Sequence, residues 1–348
     1  MKRLLIFALA GLASCIKQED IKTPTEATPV SRNDGWQVST PAAEGINQDK
    51  LKTAYALFNS QTEMPLANSL LVIRHGKLVA ESYNGGADGI DRIENVQSCT
   101  KSITSLLIGI ALQKGLISNI NTPLSTIYPE FVPDDNQKKS ITIKHCLTME
   151  TGLEFDGGAS SKALVETKGS SISFIMDKPL VSAPGSKFLY SDYSPHLLSG
   201  VIAKESGTSM EAFASANLFQ PLGIDKWVWE KAKDGLQFGG FSLFLTPRNL
   251  AKLGQFALNG GRWNNTQICQ AGWVASATQQ QASNPGYGYL FWLDPSKNSY
   301  LMEGNGGQYV FVCPAKQLII VYTAFPYSSP ELWGQSKRLI DLVYEAAQ

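Results

Sequence analysis

Strand-like sequences lie at both ends of this chain, and mainly helix-like sequences lie between them. Ser69 to Tyr83 contains two strand-like runs on either side of His75-Gly76-Lys77, where a glycine in a tight turn predicts a hairpin. Tyr309 to Cys313 and Gln317 to Phe325 are also strand-like. The pattern predicts an α+β fold whose sheet collects strands from both ends of the chain.

The middle of the chain has many turn signals between helical stretches and few alternating runs. We therefore expect a domain over residues 39–346 with a mainly helical lobe inserted into the sheet sequence. Its predicted parts are sheet regions at about residues 39–118 and 281–346, a helical lobe at about 119–280 that includes helices from Ser194 to Glu205 and from Arg248 to Asn259, and a closing helix from Glu331 to Ala347.

The 348 residues suffice for one large domain or two interleaved subdomains, and a hydrophobic fraction of 43% is typical of a globular protein. Thirty basic and thirty acidic residues cancel, which leaves no global field to attract nucleic acid. We expect a small-molecule or peptide substrate rather than a nucleic-acid partner, and the sequence does not indicate an oligomeric state.

The N-terminus has the features of a signal peptide. Lys2 and Arg3 precede an apolar run from Leu4 to Leu12, which is far shorter than the roughly 20 residues that a membrane-spanning helix needs. The tetrapeptide ending at Cys15 resembles a bacterial lipobox, although an ordinary signal peptide with an incidental cysteine is the alternative. We predict a signal peptide over residues 1–15, lipidation of Cys15, a flexible tether over residues 16–38 and an exported lipoprotein on the periplasmic side of a membrane or at the cell surface.

The remaining cysteines indicate neither a metal site nor redox chemistry, because no CxxC spacing occurs. A zinc hydrolase is also disfavoured, because the sequence has no HExxH motif. These remaining cysteines are Cys99, Cys146, Cys269 and Cys313. Two disulfides are possible, but Cys99 and Cys146 lie in apolar segments and are better explained as unpaired core residues.

A buried helix is predicted from Ser98 to Lys114, with Gly115 as a stop, because its apolar residues recur at helical spacing. Ser98 and Lys101 lie on one face of its first turn, so a nucleophile and a base are close together. The backbone N–H of a serine at a helix N-terminus can also stabilise an oxyanion. An isolated Ser-x-x-Lys match is usually only an N-cap followed by a solvated lysine.

Two further segments could complete such a site. Tyr190 precedes an apolar helix, and a phenol there can relay protons if a neighbouring cation lowers its pKa, although a packed aromatic is the alternative. The stretch Gly304 to Gln308 runs into a strand, so its missing side chains would allow a substrate to approach the strand edge. Phosphate binding is disfavoured because no helix follows these glycines.

Taken in order, ENVQSCTKSITSLL, FLYSDYSPHLLSG and GNGGQYVFVCP resemble motifs of the serine β-lactamase and DD-peptidase superfamily, specifically the branch around class C β-lactamases, esterases and nylon-oligomer hydrolases. The resemblance extends over roughly residues 40 to 346. It implies an antiparallel sheet flanked by helices, an acyl-enzyme at Ser98, proton transfer by Lys101 and Tyr190, an oxyanion hole from the backbone N–H groups of Ser98 and Gln308, and no cofactor.

Two departures from the family pattern narrow the expected substrate. The third motif has Asn305-Gly306-Gly307 where relatives that bind β-lactams often carry Lys-Thr-Gly, so a substrate carboxylate would lack a cationic partner. Asp192 stands where many relatives have Asn, and a carboxylate there would favour the ammonium form of Lys101 and shift the role of base towards Tyr190. We expect Asp192 and the Asn305 to Gly307 stretch to lie in the substrate-binding region.

Other classes of protein are less consistent with the sequence. A Ser-His-Asp hydrolase is disfavoured because there is no GxSxG elbow and only His75, His145 and His196 are available. A DD-carboxypeptidase or β-lactamase and a non-catalytic penicillin-binding sensor remain as alternatives to a hydrolase of small esters or amides.

Overall fold

The computed structural model describes residues 27–84, 86–325 and 329–348. The predicted signal peptide, Cys15 and the first part of the predicted tether lie outside the described residues. Within them, no helix is both long enough and apolar enough to cross a membrane.

The longer strands all lie in the central sheet. The strands are β1 (Gln37–Val38), β2 (Ala67–Arg74), β3 (Lys77–Tyr83), β4 (Glu94–Asn95), β5 (Trp227–Trp229), β6 (Leu243–Leu245), β7 (Arg262–Trp263), β8 (Thr266–Gln267), β9 (Trp292–Asp294), β10 (Ser299–Gly304), β11 (Gln308–Cys313) and β12 (Leu318–Ala324).

The helices fall mainly in the middle of the chain. They are α1 (Gln48–Phe58), α2 (Cys99–Gln113), α3 (Leu124–Ile127), α4 (Asn136–Lys139), α5 (Ile143–Leu147), α6 (Gly157–Glu166), α7 (Ser171–Met176), α8 (Tyr193–Ser206), α9 (Met210–Ala214), α10 (Pro247–Leu258), α11 (Trp273–Ala277) and α12 (Pro330–Ala346).

The central sheet has the strand order β1-β3-β2-β12-β11-β10-β9, so strands from the two ends of the chain meet where β2 pairs with β12. This confirms the predicted α+β fold and the predicted β2–β3 hairpin, whose turn has positive φ at His75 and Gly76. The expected antiparallel sheet is mixed, however, because β1 pairs with β3 in parallel.

Both faces of the central sheet are covered, which explains why every residue of β2 is buried. Successive side chains of a strand point to opposite faces. Leu71 and Ile73 accordingly join the core shared with α2 and α8, whereas Leu70 and Val72 join the core shared with α1 and α12.

Helix α2 is enclosed by protein along most of its length. All residues from Cys99 to Ala111 are buried, and the helix packs between α8 in the lobe and β10 in the sheet. An apolar helix with no solvated face has to be surrounded in this way. The enclosure fixes the first turn of α2, and with it Ser98 and Lys101, at the boundary between sheet and lobe.

Helix α10 departs from the predicted division of the chain. It lies within residues 119–280, which the sequence analysis placed in the lobe, but it packs on β11 and β12 of the sheet. Gly254 allows this close approach, because a Cβ at that position would lie 2.7 Å from a methyl carbon of Val310. The remaining lobe helices, notably α3, α5, α7 and α9, pack around α8.

Residues 27–38 pack on the domain, so the predicted flexible tether does not extend over them. Arg248 donates hydrogen bonds to the Asp34 carboxylate (2.6 Å), to the Val30 carbonyl (2.7 Å) and to Glu81 (2.9 Å). Trp36 is buried and donates to the Arg248 carbonyl. A polar composition suggested solvated chain, but an arginine more than 200 residues away holds the segment in place.

The four cysteines within the described residues are all buried and free. This confirms the preference for unpaired core cysteines at Cys99 and Cys146. Burial raises the pKa of both thiols well above its usual range.

Candidate active site

Ser98 occupies the N-cap position of α2, but its hydroxyl makes no capping hydrogen bond. The oxygen instead accepts a hydrogen bond of 2.9 Å from the Lys101 ammonium. Gln97, directly before it, has φ near +50°, a strained conformation of the kind found at functional sites. The common explanation of Ser-x-x-Lys as a helix cap with a solvated lysine is therefore wrong here.

Gly304 at the end of β10 supports this turn. A Cβ at Gly304 would lie 2.6 Å from the Val96 carbonyl oxygen and 3.0 Å from the Ser98 nitrogen. Only glycine lets the strand approach the backbone before α2 so closely. The last residue of the strand thereby sets the position of the Ser98 backbone N–H.

Lys101 is only 1% exposed, and its Nζ donates to three acceptors. These are Ser98 Oγ at 2.9 Å, Asp192 Oδ1 at 2.5 Å and the Gly240 carbonyl at 2.9 Å. An ammonium group has three N–H donors, and each has its own acceptor here. Burial alone would lower the pKa of Lys101, but Asp192 and Tyr190 outweigh it and raise the pKa above its usual value.

Tyr190 lies against the same lysine, with its ring centroid 4.9 Å from Nζ, and Ser98 and Lys101 both act to lower the pKa of its hydroxyl. Its ring stacks on Trp292 at a centroid distance of 5.5 Å and meets Tyr287 edge-on at 6.3 Å. Burial raises the pKa of Tyr190 despite the nearby cation. Lys101 does act to lower the pKa of the phenol, which was the condition for a proton relay, but the loss of water outweighs this attraction.

Asp192 binds Lys101 with one carboxylate oxygen and accepts a 2.6 Å hydrogen bond from the Ser161 hydroxyl with the other. The sequence pattern predicts Asp192 in the substrate-binding region. Both of its oxygens already have protein donors, so its position is that of a partner of Lys101.

The third predicted motif forms the turn between β10 and β11. Gly306 and Gly307 have φ near +79° and +71°, which accounts for the two glycines, and Asn305 is exposed. Gln308 begins β11, and its carbonyl accepts a weak hydrogen bond from the Cys99 thiol at 3.5 Å. The Gln308 backbone thus lies beside the residue that follows Ser98, where its role in an oxyanion hole stays a prediction.

Sequence reasoning missed two residues of this site. Gly240 supplies a carbonyl to Lys101, and a Cβ on it would lie 3.3 Å from Nζ; the Gly239-Gly240 pair was the available signal of a close backbone approach. Ser161 lies in α6, where no motif or periodicity marks it. Its contact with Asp192 arises from the packing of the lobe, which no local pattern records.

The histidines are engaged elsewhere, as the rejection of a Ser-His-Asp enzyme requires. His75 pairs with Glu44 at 3.0 Å, and His145 takes part in the N-terminal cap of α5. His196 is completely buried beside Ser171, whose hydroxyl bonds to Asp234, and burial lowers the pKa of His196 to about 4. Ser171 is itself only 1% exposed, so this group offers no accessible nucleophile.

Comparison with known proteins gives the same family on independent grounds. The family model described as Beta-lactamase matches residues 66–325. The 6-aminohexanoate-dimer hydrolase of Paenarthrobacter ureafaciens is 24% identical over 268 residues, which are 73% of this chain and 66% of that protein. The D-alanyl-D-alanine-carboxypeptidase/endopeptidase of Escherichia coli is 27% identical over 178 residues, which are 48% of this chain and 46% of that protein.

Among solved structures, the octameric penicillin-binding protein homologue from Pyrococcus abyssi superposes with a TM-score of 0.67. It is 19% identical, and the match covers 85% of this chain and 77% of that one. At this identity the likeness concerns the fold. The chain spans about half to two thirds of the length of the curated relatives that it matches first.

Proposed function

Because this chain belongs to the beta-lactamase family, we propose that it is a serine hydrolase that cleaves small esters or amides through an acyl-enzyme at Ser98. The observation that carries the proposal is the contact of Lys101 Nζ with Ser98 Oγ at 2.9 Å, in a buried site that also holds Tyr190. This chemistry needs neither a histidine from elsewhere in the chain nor a metal, because the nucleophile and its proton-transfer groups are adjacent.

In the acylation step, Ser98 Oγ attacks the substrate carbonyl carbon, and Lys101 and Tyr190 carry the Ser98 proton away. The carbon–oxygen or carbon–nitrogen bond to the leaving group then breaks, and Tyr190 is placed to protonate that group. Water attacks the acyl-enzyme, releases the acid and restores the Ser98 hydroxyl. The proposed oxyanion donors are the backbone N–H groups of Ser98 and Gln308.

The surroundings of Tyr190 support an apolar acyl group. Tyr190, Tyr287, Trp292 and Phe188 form a continuous aromatic cluster with ring centroids 4.9 to 6.5 Å apart. Asn305 occupies the motif position at which a lysine would bind a substrate carboxylate. These features favour neutral esters and amides.

A three-substrate comparison tests the substrate class. We expect the wild-type kcat/KM for p-nitrophenyl butyrate to exceed that for nitrocefin and for a peptide ending in D-Ala-D-Ala by at least about tenfold, because a missing charged hydrogen bond is worth about 1.5 to 3 kcal/mol. Dominant turnover of nitrocefin would identify a β-lactamase, and dominant turnover of the peptide a carboxypeptidase. Stable acylation by penicillin without release would instead indicate a sensor.

We also propose that the protein is exported and anchored by a lipid on Cys15. The support is the sequence of residues 1–15, which combines two basic residues, a short apolar run and a lipobox-like tetrapeptide. We expect labelled palmitate to enter the wild-type protein in a bacterial host and to be absent from Cys15→Ala. Equal labelling of the two would contradict the anchor.

A further inference from the structure

The Asp192 carboxylate is held in an orientation that its position in the chain does not favour. Asp192 is the N-cap residue of α8, where an aspartate normally accepts hydrogen bonds from the first backbone N–H groups of the helix. Here Ser191 Oγ takes that role, accepting from the Tyr193 nitrogen at 3.0 Å and the Ser194 nitrogen at 3.3 Å. The carboxylate of Asp192 is therefore free to point towards the nucleophile.

Ser161 holds the freed carboxylate in that orientation. Its hydroxyl donates to Asp192 Oδ2 at 2.6 Å, while Oδ1 lies 2.5 Å from Lys101 Nζ. Ser161 belongs to α6 in the lobe, whereas Lys101 belongs to α2. The hydrogen-bonded series Ser161–Asp192–Lys101–Ser98 thus runs from a lobe helix to the nucleophile.

We propose that Asp192 is the terminal proton acceptor of the acylation step and that Ser161 is the positioning residue that keeps its carboxylate on Lys101. The inference rests on the proposed function and goes beyond it, because the mechanism given above leaves the destination of the Ser98 proton open. The three acceptors around Lys101 carry the argument. An ammonium whose three N–H groups are all donating has no lone pair with which to take the Ser98 proton directly.

The proton transfer balances if Lys101 gives up one proton before it accepts another. The Nζ–H bond directed at Asp192 breaks and an Oδ1–H bond forms, which leaves a lone pair on Nζ. The amine then turns about its Cε–Nζ bond, the Ser98 Oγ–H bond breaks and a new Nζ–H bond forms. Lys101 is an ammonium before and after the transfer, Asp192 becomes a neutral acid, and the negative charge moves to the attacking Ser98 oxygen and from there to the oxyanion. When the leaving group departs, the proton returns along the same path or through Tyr190.

The groups that face Asp192 determine how its protonation will be seen in a pH profile. Lys101 is the one that forms an ion pair with it, and burial keeps the phenols protonated. The Asp192 carboxylate acts electrostatically on several titratable side chains, which are Lys101, Tyr190, Tyr193, His196 and Tyr287. The proposal requires the Asp192 carboxylate to be ionised in the active enzyme, since a neutral acid cannot accept the proton.

Ser161→Ala tests the positioning role, with Ser160→Ala as its matched control. Ser160 is also half-buried on the same helix, and its backbone carbonyl, which accepts from the Tyr193 hydroxyl, is kept by alanine. Its hydroxyl accepts from the Asp156 backbone nitrogen at 2.8 Å, so the control also removes one hydrogen bond from α6, but none from Asp192 or Lys101. We expect Ser161→Ala to lower kcat for p-nitrophenyl butyrate by about tenfold, which is less than the roughly 100- to 10,000-fold effect of a general acid–base group itself because Ser161 acts only through Asp192, and to move the acidic limb of the pH–rate profile to higher pH. A carboxylate with one donor fewer takes up a proton more readily.

Ser161→Thr, which keeps the hydroxyl, should restore both kcat and the acidic limb. Asp192→Asn should move the acidic limb further upward, because Lys101 loses its counter-charge, its pKa falls and the neutral amine becomes the base. The proposal would be overturned if Ser161→Ala kept the wild-type kcat and pH–rate profile, or if Asp192→Asn left the pH–rate profile unchanged. The proposed function fails separately, if Ser98→Ala retains ester hydrolysis.

Discussion

Ser98→Ala should lower kcat/KM for p-nitrophenyl butyrate by at least about 1,000-fold, which is the scale seen when a serine nucleophile is removed from a hydrolase. The residual rate would come from the oxyanion donors and substrate binding alone. Because Ser98 makes no capping hydrogen bond, the substitution removes no helix cap. We therefore expect the free energy of unfolding to change little, which urea titration followed by circular dichroism would measure.

Ser105→Ala provides the control for this substitution. Ser105 lies two turns further along α2, is completely buried, and its hydroxyl has no hydrogen-bond partner among the described residues. Removing an unsatisfied buried hydroxyl is neutral or stabilising. Ser105→Ala should keep wild-type activity. Mass spectrometry should detect an acyl adduct on the Ser105→Ala protein, whose Ser98 is intact, but not on the Ser98→Ala protein. Hydrolysis that survives in Ser98→Ala would exclude the acyl-enzyme mechanism.

The elements that follow from periodicity could be predicted from the sequence to within a residue or two. The helix predicted from Ser98 to Lys114 is observed as α2, and the strands on either side of His75 form the predicted hairpin. Both depend on contacts that are local along the chain. The predicted extents of the tether and the lobe differ from the structure because they depend on contacts between residues far apart in the chain. Arg248 fixes residues 27–38 on the domain, and Gly254 allows α10 to pack on the sheet.

The same distinction separates the parts of the site. Ser98 and Lys101 share one helical turn, so their spacing alone predicts the contact. Tyr190 and the Gly304 to Gln308 turn required three motifs considered together. Ser161 could not be found from the sequence, because its role depends on which way Asp192 turns, and that choice is made by Ser191 and by the packing of α6.

Lys101→Met separates catalysis from folding at this site, because the lysine serves both. We expect kcat/KM to fall by at least about 1,000-fold, since the Ser98 proton loses its only direct path towards Asp192. Stability should fall too, because the Asp192 carboxylate loses its cation. Breaking a fully buried ion pair costs about 3 to 5 kcal/mol, and the 18% exposure of the Asp192 side chain reduces this to an expected loss of about 1 to 3 kcal/mol.

The double variant Lys101→Met/Asp192→Asn distinguishes the two effects. Without a carboxylate there is no unpaired charge to bury, so urea unfolding should show at least about 1 kcal/mol of the lost stability restored. Activity should stay as low as in Lys101→Met, because neither substitution supplies a base. If the double variant recovered both activity and stability, Lys101 would act only by stabilising the fold. If Lys101→Met were inactive but as stable as the wild type, the ion pair would contribute nothing to stability. The predicted combination, stability restored and activity still absent, requires that the same ammonium both neutralises Asp192 and connects it to the nucleophile.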